Sequence, residues 1–195
     1  MKICIDPGHT YGLNGIGGDP GAINKELGIK ESVIALEIAT TLGQFLKGDG
    51  HDILFTRTSH RADLTLKKRC EIANRNKCDL FLSIHLNSFS NSSANGIETL
   101  VYSTKGGKAY QYAWCILHEM ILQTSAKDRG VKERKDLYVL KHTVMPAVLI
   151  ETGFISNKAE GLKLNDPQYQ RLLCEGIRKG IIDAKSSEGK LPYAS

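Results

Sequence analysis

Apolar residues along this chain recur with two periods that take turns. Short dense runs at 1–6, 53–56, 79–85, 97–102, 137–140 and 147–151 are rich in Ile, Leu, Val and Phe, which predicts strands. In 79–85 the alternation puts Phe81, Ser83, His85 and, one step on, Asn87 on one face, with Leu80, Leu82 and Ile84 on the other. Between these runs, 31–47 carries Val33, Ile34, Leu36, Ile38, Leu42, Phe45 and Leu46 at helical spacing and stops at Gly48 and Gly50. The segment 63–76 repeats the pattern through Leu64, Leu66, Cys70, Ile72 and Ala73, and 106–126 does so through Trp114, Ile116, Leu117 and Ile121. Pro167 suits the first turn of a last helix, whose inward stripe is Leu172, Leu173, Ile177, Ile181 and Ile182.

Strands alternating with helices predict an α/β fold: one domain built on a twisted, mixed, mostly parallel sheet with helices on both faces. Residues 1–184 are expected to form that domain, and 185–195 have the composition of a linker-like tail. The segment 10–27 is rich in Gly, Asn and Asp and reads as a long loop, of a length that in a compact domain is usually functional. It contains neither G-x-G-x-x-G nor G-x-x-x-x-G-K-[ST], so it does not read as a phosphate cradle. The charged stretch 127–136 reads as a turn.

Composition narrows the classes. A chain of 195 residues suffices for one core and is short for two. With 41% hydrophobic and 24% charged residues it is not a disordered sequence. No apolar stretch approaches the roughly 20 residues that cross a bilayer, so no membrane insertion is expected. The net charge of +5 comes without a basic run or interleaved aromatics, which argues against nucleic acid and suits an anionic polymer such as a bacterial wall. The five cysteines are odd in number and form no C-x-x-C pair, as expected of free thiols in a reducing compartment. Strand-like sequence from Met1 onward leads to the expectation of synthesis without a signal segment, unless the chain starts after one.

The candidate chemistry lies at the ends of three apolar runs. Ala147-Val148-Leu149-Ile150 delivers Glu151, just before a turn expected at Gly153; Ile3-Cys4-Ile5-Asp6-Pro7-Gly8 delivers His9; and Phe81-Leu82-Ser83-Ile84 delivers His85. Carboxyl ends of strands are where α/β sheets gather ligands. Catalytic zinc takes three imidazole or carboxylate ligands and keeps one position open. His9 and His85 are the nitrogen donors, and Glu26 and Glu31 compete for the third place. At a helix start, Glu31 would also serve simply to complement the helix dipole. His51, His60, His118 and His142 end no buried strand and read as surface or structural residues.

Motifs spread over nearly the whole chain resemble the zinc-dependent N-acetylmuramoyl-L-alanine amidases of the Amidase_3 family, found in autolysins and phage endolysins. They are Ile5-Asp6-Pro7-Gly8-His9, Asp19-Pro20-Gly21-Ala22, Gly28-Ile29-Lys30-Glu31, Thr56-Arg57, Arg69 with Ala73-Asn74, Ser83-Ile84-His85-Leu86-Asn87, Gly96-Ile97-Glu98, Arg129-Gly130-Val131-Lys132, Leu137-Tyr138-Val139-Leu140 and Met145-Pro146 through Ser156-Asn157. The family commonly has Gly-Gly after the first histidine, where this chain has Thr10-Tyr11-Gly12 and a longer loop.

The resemblance implies Zn²⁺ on His9, Glu31 and His85, with Glu151 as general acid and base. It implies bacterial peptidoglycan as substrate, cut between the lactyl group of N-acetylmuramic acid and L-alanine. Asn87, on the face of His85, and Thr143, close in sequence to Glu151, are candidate substrate contacts. A zinc peptidase or deacetylase acting on another wall amide, and a non-catalytic wall-binding module, are the alternatives. With that resemblance, the absent signal segment and the free cysteines fit a phage lysin made in the bacterial cytoplasm that reaches the wall at lysis, rather than a secreted autolysin, and the tail suggests a C-terminal wall-binding module outside this chain.

Overall fold

The computed structural model describes residues 1–10, 18–60 and 64–186. The chain begins with β1 (Lys2–Pro7), a small hairpin of β2 (Ile23–Asn24) and β3 (Ile29–Lys30), helix α1 (Glu31–Gly48) and β4 (Asp52–Phe55). It continues through α2 (Leu66–Arg75), β5 (Leu80–Asn87), β6 (Ile97–Val101), α3 (Lys108–Thr124), β7 (Asp128–Glu133) and α4 (Tyr138–His142). It closes with β8 (Ala147–Phe154), α5 (Lys158–Leu164) and α6 (Pro167–Ser186). Residues 11–17, within the long loop, residues 61–63, at the expected start of the second helix, and most of the expected tail, 187–195, lie outside the described residues.

Six strands form one sheet in the order β4-β1-β5-β8-β6-β7. The first four run parallel, while β6 and β7 are parallel to each other and antiparallel to the rest. The dense apolar runs of β1, β5 and β8 are explained by burial on both faces. One face carries the larger core, where Ile3, Ile5, Leu80, Leu82, Ile84, Val148 and Ile150 meet α1, α3 and α6. The other carries a smaller core of Cys4, Phe81, Leu100 and Leu149 under α2 and α4. All five cysteines are free and buried.

Four expectations need correction. The run 137–140 is not a strand: α4 covers Tyr138–His142. Its β-type residues are held in a helical turn by long-range bonds, because Asn74 donates to His142 O at 2.9 Å and accepts from Val144 N at 3.0 Å. The charged stretch 127–136 is not a turn: it contains edge strand β7, whose polar residues suit a half-exposed ladder. β8 does not end at Glu151 but runs through Gly153 to Phe154, past a register shift opposite His85 and Asn87. Helix α5 was not expected at all, although Asn157, which accepts from Glu160 N at 3.1 Å, marks its start.

Helices α3 and α6 touch where α6 has no side chain. A Cβ on Gly180 would lie 2.4 Å from Ile116 Cα, against rigid backbone. Gly180→Ala is therefore expected to destabilise by about 1–3 kcal/mol through overpacking. Gly48→Ala, where a Cβ meets nothing within 4 Å, should be neutral or stabilise by up to about 1 kcal/mol. Urea midpoints of the two variants check the contrast.

Candidate metal and catalytic site

The site begins with the turn after β1. His9 adopts a left-handed backbone conformation with φ 56°, uncommon for a residue with a side chain. Two buried arginines hold that turn by its carbonyls. Arg57 donates to Pro7 O at 3.0 Å and Gly8 O at 2.8 Å, and also to Ser32 O at 2.7 Å, which ties the turn to the start of α1. Arg69 donates to Pro7 O at 2.8 Å and His9 O at 2.9 Å. Its guanidinium also meets buried Asp6 at 2.6 Å, and Asp6 accepts further bonds from Thr56 and Ser83.

His9, Glu31 and His85 then converge. His85 Nδ1 lies 2.9 Å and His9 Nε2 3.2 Å from the same oxygen, Glu31 Oε1. The candidate ligand atoms of the three residues all fall within 4.8 Å of one another, so they could hold a metal ion. The imidazoles meet edge to face at 4.9 Å. Two glycines make the room: a Cβ on Gly8 would lie 2.5 Å from the His85 ring, and one on Gly21 would lie 2.5 Å from Glu31 Oε2. Asp19 Oδ2 stands 2.8 Å from His9 Nδ1. In the neutral ring whose Nδ1–H donates to Asp19, Nε2 presents its lone pair to the cluster, the usual arrangement behind a metal-bound histidine. Glu31 is itself oriented, accepting from Leu86 N at 3.1 Å and Ala22 N at 2.9 Å.

Electrostatics separate the carboxylates by role. Burial alone would raise the Glu31 carboxyl, but hydrogen bonds and charge from His85 and His9 outweigh it and hold Glu31 well below the usual range. Burial likewise disfavours the His9 imidazolium, and Glu31 and Asp19 overcome it and raise the His9 pKa. Glu151 sits beside His85 in the β5–β8 ladder and opposite Glu98 in the β6–β8 ladder. Burial pushes the Glu151 carboxyl up to about 7, and its Oε2 is buried without a partner among the described residues. For Glu98 burial acts the same way, but Lys132 and Arg129 outweigh it and lower its pKa. Two facing carboxylates thus differ: one is neutralised by cations and one is left open to do chemistry.

His9, Glu31, His85, Glu151 and Asn87 all line one cavity of about 580 Å³. Asn87 spends its amide on Glu98, donating to Oε1 at 2.9 Å. Thr143, expected as a substrate contact, is not among the lining residues; its hydroxyl donates to Val139 O at 2.7 Å at the end of α4. Glu26 instead forms an exposed ion pair with Lys158. None of His51, His60, His118 and His142 joins the cluster; His118 stacks on Trp114 and His142 on Tyr138. The supporting roles of Asp6, Asp19, Arg57, Arg69 and Glu98 were not assigned from the sequence, although each lies within a quoted motif. Local pattern gave no signal for them, since the burial that obliges Arg57 and Arg69 to be paired shows only in the structure.

Comparison with known proteins points the same way. The family described as N-acetylmuramoyl-L-alanine amidase, Amidase_3, matches residues 3–183. An uncharacterised cell wall amidase of Bacillus anthracis is 37% identical over 93% of this chain and 35% of its own length. The sporulation-specific N-acetylmuramoyl-L-alanine amidase of Bacillus subtilis is 34% identical over 94% of this chain and 68% of its own. The chain thus spans about a third of the first relative and two thirds of the second. The crystal structure of an N-acetylmuramoyl-L-alanine amidase from Clostridium difficile 630 superposes with a TM-score of 0.88 at 32% identity, covering 96% of this chain and 98% of that one.

The arginine clamp is open to a direct test. Arg69→Met strands the buried Asp6 charge and is expected to cost about 3–5 kcal/mol. Arg75→Met, at a side chain 80% exposed, should cost less than about 1 kcal/mol. Urea denaturation of both variants reads the difference.

Proposed function

The chain belongs to the Amidase_3 family of N-acetylmuramoyl-L-alanine amidases, and from that membership and the site geometry we propose that it hydrolyses peptidoglycan with a zinc ion held by His9, Glu31 and His85. The bond cut is the amide between the lactyl carbonyl of N-acetylmuramic acid and the amine of L-alanine. The observation that carries the reading is the buried Glu151 oxygen, unpartnered among the described residues, in the same cavity as the His9–Glu31–His85 cluster.

The donor set fits zinc. Tetrahedral zinc with bonds of about 2.0–2.1 Å keeps its ligand atoms about 3.3 Å apart. The two imidazole nitrogens stand 2.9 and 3.2 Å from Glu31 Oε1, near that spacing, and all three ligand atoms lie within 4.8 Å of one another. When bound there, the ion supplies a Lewis acid that acidifies water and polarises a carbonyl. The chain's own residues do the rest. Asp19 fixes the His9 ring, and the backbone N–H groups of Leu86 and Ala22 fix Glu31. Glu151 takes a proton from the water that adds to the lactyl carbonyl carbon. It returns that proton to the alanine nitrogen as the C–N bond breaks, leaving a free carboxylate and a free amine. Its raised pKa suits a group that must both accept and release a proton near neutrality.

Digestion of purified peptidoglycan, with and without a chelator, tests the function. New alanine α-amines without new reducing sugars are expected, and they should disappear when the metal is removed. A peptidase or deacetylase would release other groups, and mass analysis of the fragments separates the three. Glu151→Gln should keep its metal while turnover falls about 10²–10⁴-fold, the usual contribution of a general acid–base group; wild-type turnover would remove Glu151 from the mechanism. His85→Ala should bind less than one zinc per chain by elemental analysis, and full occupancy would exclude it as a ligand.

A further inference from the structure

The cavity that holds the cluster continues away from it over an apolar surface. Two positions back from Glu151 on the same face of β8 stands Leu149, and directly across in β6 stands Leu100. Tyr138 and Val139 of α4 close the far side. Arg134 stands where β7 gives way to α4. Its N–H donates to Val101 O at 2.8 Å, one residue beyond the last strand pair, and strand alternation puts it on the face of Lys132 and Leu100.

The cavity has two arginines among the described residues, and they differ in what they still offer. Arg69 is buried and committed to Asp6, Pro7 O and His9 O. Arg134 is about half exposed and is gripped along one edge only, with Nε and Nη2 at 2.8 and 2.7 Å from the two oxygens of Asp136. Asp136 thus fixes the plane of the guanidinium and leaves the Nη1 donors without a partner among the described residues. A planar fork with a free edge is suited to a carboxylate.

We propose that Arg134 is a specificity-determining residue that receives a carboxylate from the peptide side of the substrate, in peptidoglycan the α-carboxylate of the γ-linked D-glutamate that follows L-alanine. This rests on the amidase reading. Once the lactyl group is amidated the glycan side carries no carboxylate, so an anion met in this cavity belongs to the peptide. The cavity end near the bond that is cut is lined by Asp19, Glu31 and Glu151, and an anionic peptide needs a cation further along to offset that field. The reach is consistent. The rows of Glu151 and Val101 are three strand residues apart, about 10 Å. Two extended peptide residues span about 7 Å, and the arginine stem covers the remainder.

The test uses two disaccharide peptides that differ in one group: L-Ala-γ-D-Glu-L-Lys-amide and L-Ala-γ-D-isoGln-L-Lys-amide, each on the same glycan. The zinc-loaded chain is expected to favour the carboxylate substrate by roughly ten- to a hundredfold in kcat/KM, the range for one charge-assisted hydrogen-bonded contact. Arg134→Gln should bring the ratio close to one by slowing the carboxylate substrate alone, and Arg134→Lys should retain part of the preference. An unchanged ratio in Arg134→Gln, or no preference in the parent chain while both substrates are cut, overturns the assignment of Arg134 and leaves the amidase reading standing. Failure of the parent chain to cut either substrate overturns both.

Discussion

The buried carboxylate of Asp6 is the constraint on which the rest of this site depends. It stands one residue before the end of β1 and gathers Thr56 from just beyond β4, Ser83 from β5 and Arg69 from α2. Charge inside a protein is tolerated only when it is met in this way. Arg69 in turn reaches the carbonyls of Pro7 and His9, and Arg57 takes those of Pro7 and Gly8. A backbone turn that would otherwise be strained is thereby held at the angle that aims His9 toward Glu31 and His85.

The sheet's two faces divide the labour. The larger core under α1, α3 and α6 is packed so closely that two glycines of α6 sit against the backbone of α3. That rigidity anchors Glu31 at the first residue of α1. Among the described residues the opposite face is covered by α2 and the five-residue α4, and the cavity opens there, between their ends and the sheet. A thin cover leaves the cavity its space, while the thick one keeps the cluster residues from drifting.

Within the cavity, function rests on inequality between similar groups. Glu98 and Glu151 face one another across two strands, yet Arg129, Lys132 and Asn87 all attend to Glu98. Glu151 is half-buried, and its buried Oε2 has no partner among the described residues. Arg69 and Arg134 are a matching contrast, one buried and committed to Asp6, Pro7 O and His9 O and the other held along a single edge by Asp136. In each pair one member is committed to building the site, while the other keeps polar atoms without a partner among the described residues.

Much of this was legible in the chain itself, because periodicity reports which face of each element is buried. The helices of α1, α3 and α6, the strands of β1, β5 and β8, and the placement of His9 and His85 near the carboxyl ends of β1 and β5 follow from local pattern, and the ordered motifs named the family. What local pattern does not carry is any bond between residues far apart in sequence. Leu137 to Leu140 read as a strand until Asn74, 68 residues from His142, held that segment helical. Edge strand β7 read as a turn because only the neighbouring β6 makes its charged residues into a ladder. Thr143 is near Glu151 in sequence but turns back on α4. The choice of Glu31 over Glu26, left open by the residues alone, lies in space: one carboxylate meets both imidazoles and the other pairs with Lys158 at the surface. The sequence determined the elements and the chemistry available, since both are properties of short segments. Which groups are left unsatisfied inside the cavity was decided only by tertiary structure, because hydrogen-bond satisfaction belongs to the whole set of neighbours that folding assembles.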